Sequence, residues 1–466
     1  MVGRRRVKAG KQVGRGAGGR FDRKSTSRRP DRPTAGAGAP PQGGGQRPIR
    51  EDLVRALALE AYAAIRDEGR VADRALDFLL RRERRLYASE RRAVAEAVYS
   101  LLRSEGRLHH VFSEALGDEW RSLSPAAGRA LAYEAIRVRD RGIPPERALA
   151  DGGLAASLLP GLVAWTSPVA QPSGDPAERL AIEEGLPGWM AALFVREFGE
   201  EGAAALGRAM NERAPLTVRA NRLHVDRDGL AARLEAEGVS SRPCEFSRDG
   251  LRVEGRLNLF SLPSFREGLF EIQDEGSQIL AALLDPRPGW LTIDACAGAG
   301  GKTLALAATM RNKGRLVALD SDERRLAQLG PRARRAGVHN WEAHAVPADG
   351  LPVEMERRWS GKADAVLIDA PCTGLGVLRR NPDARFRLGE GSVARFAAVQ
   401  RALLDRYASL AKPGGRIVYA TCSVASEENE RVVEAVLAAR PDLELVPPSE
   451  TLGDELARRL GSDRYL

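Results

Sequence analysis

Cysteine is scarce in this chain: Cys244, Cys296, Cys372 and Cys422 are the four in 466 residues. Thiols so few and so widely spaced exclude a disulfide scaffold and a Cys-x-x-Cys metal site. Only five histidines occur and none forms a His-Glu-x-x-His pair, so no metal is expected. Long apolar runs are missing as well. No stretch has the length of a membrane span, and no apolar secretory segment follows Met1. A reduced, cytoplasmic setting away from membranes is the expectation.

Excess positive charge is absent from the body of the chain. The net charge is +9, but residues 1–50 hold 14 Lys or Arg against Asp22 and Asp31, a balance of +12. The remainder carries 58 bases against 61 acids, or −3. The basic tail, residues 1–49, is rich in Gly, Pro, Ser and Arg and cannot bury a core, so it is expected to be disordered. Such an arm neutralises nucleic-acid phosphates or simply keeps a chain soluble.

Glycine and proline are also rare between Glu51 and Val138, where the pattern is helical. Leu53, Leu57, Ala61, Ala64 and Ile65 form one predicted stripe, and Val94, Val98, Leu101 and Leu102 another, with Ser89 as a predicted N-cap. These segments predict an all-α bundle over residues 50–170, its end from Pro144 to Pro176 reading as irregular connection. A small α+β unit follows over 175–285, with a strand at "PLTVRANRL", a capped helix at "DRDGLAARLEAEG" and a strand running into a helix at "GLFEIQDEGSQILAALL". From 286 to 466, five strands ("LTIDACA", "GRLVALD", "WEAHAV", "ADAVLIDAP", "GRIVYATCS") alternate with helices. That alternation predicts a parallel, Rossmann-like α/β sheet with helices on both faces.

The first of these strands ends in "DACAGAGGKT", Asp294 to Thr303. Its glycines, Gly298, Gly300 and Gly301, allow close backbone approach at a helix N-terminus. The spacing is neither that of a dinucleotide loop nor that of a P-loop. Asp320 ends the second strand, placed either for ribose hydroxyls or as a helix N-cap. Asp349 follows the third strand, on the adenine side of such a ligand. A glycine loop with two strand-end acids predicts an adenosyl ligand without pyrophosphate, S-adenosylmethionine.

Asp369 and Cys372 end the fourth strand and Cys422 the fifth, and adjacent parallel strands would bring both thiols together as buried strand-end residues. Carbon 5 of cytosine accepts a methyl group only after a nucleophile adds at carbon 6. That chemistry needs a thiolate, an acid near ring nitrogen 3 and a base for the carbon 5 proton.

The blocks "DACAGAGGKT", "IDAPCTGLGVLRRNPD" and "YATCSVASEENE" resemble the signature blocks of the RsmB/Nop/Sun family of RNA cytosine carbon-5 methyltransferases. "PLTVRANRL" and "FEIQDEGSQ" resemble that family's RNA-binding subdomain, and "LYASERRAVAEAVYSLLR" is similar to the NusB-like RNA-binding domain of its bacterial members. The resemblance implies Cys422 as nucleophile, Cys372 as the cysteine that assists release, and Asp369 against the base. It also implies a donor site made by Cys296, Ala297, Gly298, Ala299, Gly300, Gly301 and Lys302 on the methionine part. Asp320 then takes the ribose, Asp349 the adenine, with Arg325 and Asp369 alongside. RNA is the implied partner, 16S ribosomal RNA the implied substrate, and a monomer the implied state. A tRNA cytosine methyltransferase, a DNA cytosine methyltransferase and a non-catalytic RNA-binding assembly factor are the rival readings. The chain departs from the family pattern at Gly298-Ala299, at Asn381 and at "GSDRYL", which lacks the usual final strand and predicts a gap in the sheet and an incomplete C-terminus.

Overall fold

The computed structural model describes residues 48–167, 174–255, 258–348 and 350–461. Residues 1–47 of the basic tail, Asp349, and residues 462–466 of "GSDRYL" lie outside the described residues. The helices Glu51–Arg66, Ala72–Arg82, Ala88–Leu116, Pro125–Arg141, Pro145–Gly152 and Leu159–Thr166 share one apolar core around Leu101, Leu102, Phe112, Leu131 and Trp165. The first helix buries Val54, Leu57, Ala58, Ala61, Tyr62 and Ile65, a face rotated from the predicted stripe so that Leu53 and Ala64 are only half-buried. Ser89 is not an N-cap. That helix starts at Ala88, and Glu90 reaches back to the Tyr87 N–H at 2.9 Å. In the Pro144–Pro176 passage, residues 168–173 lie outside the described residues, and the part before them is not irregular. It forms two short helices, each with proline in its first turn, where the missing N–H costs no intrahelical bond.

Two further helices, Pro176–Glu184 and Gly188–Asn211, pack Met190 and Phe194 against Leu375, Leu378 and Ala425 of the C-terminal domain. Arg385 locks the helical region in place. It is buried and donates to the carbonyls of Arg103 and Glu184, each at 3.2 Å, and to Asn211 Oδ1 at 2.6 Å.

The strands β1 (Leu216–Ala220), β2 (Ser241–Pro243), β3 (Gly250–Val253) and β4 (Phe270–Ile272) form a small antiparallel sheet in the order β2-β3-β1-β4. Its helix, Arg227–Ala236, is capped by the side chain of Asp226.

The C-terminal sheet is parallel, with β5 (Leu291–Asp294), β6 (Arg315–Asp320), β7 (Trp341–Ala345), β8 (Ala363–Asp369) and β9 (Ala411–Ala420) in the order β7-β6-β5-β8-β9. All five predicted strands are present, and the described ladder runs without an internal gap. One apolar core lies on each face, around Trp359, Leu404 and Tyr407 on one side and Leu306, Met310 and Leu329 on the other. The chain leaves β5 for β6 on one side, and β8 pairs on the other. The strand order therefore reverses at β5, which opens a crevice at the C-terminal strand ends.

Candidate active site

The loop after β5 enters the helix Gly301–Thr309. Gly298 and Gly300 have φ of 55° and 84°, a region that costs glycine little. A Cβ at 298 would stand 2.7 Å from Arg325 Nη2, and one at 300 would stand 2.3 Å from Leu329 Cδ1. Asp320 at the end of β6 accepts from the Gly298 N–H at 2.6 Å and from the Asp322 N–H at 2.7 Å. The helix cap is Asp322, which accepts from Arg324 and Arg325, so Asp320 is not an N-cap. Arg325 lies across Gly298 at the exposed lip, while Ala297 turns inward and donates its N–H to Leu319 at 2.9 Å. Cys296 is half-buried, and burial pushes its thiol up.

Asp294 stands beneath this loop. It is fully buried, takes the Thr303 hydroxyl at 2.7 Å on Oδ2, and has no hydrogen-bond partner on Oδ1 among the described residues. Burial pushes its carboxyl up to about 6. An open glycine cradle, a helix N-terminus and an unpartnered carboxylate oxygen fit a small ligand that carries both an anionic group and a cationic one.

The second half of the site is a pair of thiols. In the β8–β9 register Asp369 is opposite Ala420, so the residues just past each strand end meet. Cys372 and Cys422, 50 positions apart, stand with their sulphurs 3.2 Å apart, and the Cys422 N–H donates to Cys372 Sγ at 3.3 Å. The Gly376 N–H donates to the Cys422 carbonyl at 2.9 Å, and a Cβ at 376 would sit 2.9 Å from that oxygen. Neither thiol is fully buried, contrary to the expectation. Cys372 is half-buried and Cys422 exposed, because both lie beyond the strands in loops that open on the crevice. The Cys372 thiol, donating to its neighbour, holds Cys422 below the ordinary thiol range. Cys372 itself is pushed up by the same bond and by burial. Lys302 joins the two halves by an ion pair with Asp369 at 2.5 Å.

Sequence reasoning missed the group that holds the thiol loops together. Glu428 is fully buried and accepts from the Thr373 N–H and Gln400 Nε2, each at 2.9 Å, from the Ser423 hydroxyl at 2.5 Å, and from the Thr373 hydroxyl. The available signal was an acid run, "SEENE", beginning four positions after a proposed catalytic cysteine, Cys422.

Residues 281–462 match the family model described as 16S rRNA methyltransferase RsmB/F, and residues 186–259 match that of the RsmF/B-like ferredoxin-like domain. The chain is 32% identical over 270 residues to the probable ribosomal RNA small subunit methyltransferase B of Bacillus subtilis, covering 58% of this chain and 60% of that one. To ribosomal RNA small subunit methyltransferase B of Salmonella newport it is 28% identical over 407 residues, covering 85% and 92%. The chain thus spans about three-fifths of the Bacillus relative and nearly all of the Salmonella one. The crystal structure of PH0851 aligns with a TM-score of 0.66 and 27% identity, covering 84% of this chain and 91% of that one.

Proposed function

Because the chain belongs to the RsmB/F methyltransferase family, we propose that it methylates carbon 5 of a cytosine in RNA, 16S ribosomal RNA being the substrate. In this reading Cys422 is the covalent nucleophile. Residues 50–170 act as a NusB-like RNA-binding domain and residues 175–285 as a second RNA-binding unit, within a cytoplasmic monomer. The observation that carries the reading is the pairing of Cys372 with Cys422 at 3.2 Å beside the Lys302–Asp369 ion pair.

S-adenosylmethionine, when bound, supplies an electrophilic methyl group. The loop Cys296–Gly301, Lys302, Asp320 and Arg325 would hold it, with Asp349 at the adenine. Cys422, its thiolate favoured by the Cys372 hydrogen bond, adds to carbon 6 of the pyrimidine, and the ring's electron pair becomes available at carbon 5. Asp369 contacts the base edge. Lys302 fixes that carboxylate and offsets the charge that builds on the ring. Once the Cys422 sulphur is bonded to carbon, the hydrogen bond that most raised Cys372 is gone, and this half-buried thiol releases its proton to solvent, leaving a thiolate. It then accepts the carbon 5 proton, the double bond re-forms, and Cys422 leaves as thiolate.

The test is a map of 5-methylcytosine in ribosomal RNA from cells with and without the gene. A site that disappears with the gene and returns on its restoration supports the reading; an unchanged map contradicts it.

A further inference from the structure

Arg219 and Glu271 face each other across β1 and β4, and both are buried, at 5% and 3% exposure. Buried charges are costly unless their partners compensate for lost water, so the partners identify the role. Arg219 donates to Gln273 Oε1 and to the carbonyl of Gly301 at 3.1 Å. Glu271 accepts from Arg335 and from Arg332 at 2.9 Å, and Arg332 donates in turn to the carbonyl of Ala299 at 2.7 Å. Two carbonyls of the glycine loop are thus held by guanidinium groups, one on the small sheet (Arg219) and one (Arg332) on the helix Leu329–Ala336 and paired with the sheet's Glu271. Because a peptide unit is planar, fixing the Gly301 carbonyl toward Arg219 turns the Lys302 N–H the opposite way, away from the small sheet. That N–H is one of the helix-terminal donors without an intrahelical partner. Burial lowers the Arg219 guanidinium to about 10, which leaves it charged near neutral pH.

We propose that Arg219, Glu271 and Arg332 are positioning residues of the donor site. The small sheet is the rear wall of the glycine loop and sets its affinity for S-adenosylmethionine. The inference rests on the reading that this loop binds the donor, and it gives the unit assigned to RNA a second task.

The experiment is calorimetric titration of the full chain with S-adenosylmethionine in the absence of RNA, followed by steady-state kinetics. Arg219→Met should weaken donor binding by about tenfold or more, the value of one hydrogen bond to a charged group. KM for the donor should rise in step while kcat at saturating donor changes by less than about twofold. Arg219→Lys keeps a cation that can reach either partner and should recover most of the loss. Arg332→Met, at a half-exposed position, repeats the test if the buried variant fails to fold. Asn221→Ala is the control. It removes a clamp on the Gly268 and Ala336 carbonyls at the same domain contact without touching the loop. Wild-type donor affinity in folded Arg219→Met and Arg332→Met, or an equal loss in Asn221→Ala, would overturn the proposal. A wild-type protein that binds donor but makes no 5-methylcytosine would refute the substrate reading alone; one that binds no donor would refute both.

Discussion

Thr373 gives both its backbone N–H and its hydroxyl to the buried carboxylate of Glu428, the N–H at 2.9 Å. Thr373 follows Cys372, and Ser423, which follows Cys422, donates to the same carboxylate at 2.5 Å. One buried acid therefore sets the spacing of the two sulphurs.

Glu428→Gln should fold with a modest loss of stability, since the Thr373 and Ser423 hydroxyls can rotate to accept from the new amide. Glu428→Ala strands several donors and should cost about 3 kcal/mol or more in denaturant unfolding. Its rate of covalent adduct formation with RNA should fall by at least about tenfold, because the thiol pair loses its common anchor. An alanine variant with wild-type adduct kinetics would show that the spacing is set elsewhere.

Asp320 holds the Gly298 N–H, so its removal loosens the donor loop as well as deleting a ribose contact. Asp320→Ala should weaken S-adenosylmethionine binding by about tenfold or more, while RNA affinity stays within about twofold. Calorimetry with each ligand separates the two effects.

Asp294 has its carboxyl raised by burial to about 6, above the ordinary carboxylate range. The folded state then holds this proton more tightly than the unfolded state. The group's contribution is fully present at low pH and is lost as pH rises through about 6. Asp294→Asn, which still accepts from Thr303, should remove this loss. Its stability at pH 7 should exceed wild type by an amount on the order of 2–3 kcal/mol. Thermal unfolding of both proteins from pH 4 to 8 reads the difference as a slope present in one and absent in the other.

Cys422 is held below the ordinary thiol range by the Cys372 hydrogen bond, so its alkylation by iodoacetamide should begin at a lower pH than for a free thiol. In Cys372→Ala that donor is gone, and the profile should shift toward higher pH. An unshifted profile would assign the activation to Lys302 instead.

The parallel sheet and the thiol pair were legible in the sequence because each rests on local pattern. β5, β6 and β8 read as apolar runs ending in Asp294, Asp320 and Asp369, and adjacency of the last two strands suffices to bring Cys372 beside Cys422. Local pattern also misled. The Pro144–Pro176 passage read as irregular connection, although proline in the first turns of Pro145–Gly152 and Leu159–Thr166 is a good helix starter. The first helix rotates its buried face to bring in Val54 and Tyr62, which periodicity alone ranks no higher than Leu53. The supports were not legible at all. Glu428 meets Thr373 across 55 positions, and Arg219 meets Gly301 across 82. A buried charge looks like a surface charge until its partner is in place.

The proposed mechanism divides attack and release between two sulphurs 3.2 Å apart. It is tested by incubating each cysteine variant with substrate RNA and S-adenosylmethionine and resolving the products on a denaturing gel. Cys372→Ala should accumulate a slow protein–RNA band that disappears on RNase digestion, because Cys422 still attacks while release stalls. Cys422→Ala and the double variant should give no such band. A band from Cys422→Ala and none from Cys372→Ala would reverse the two roles and contradict the account.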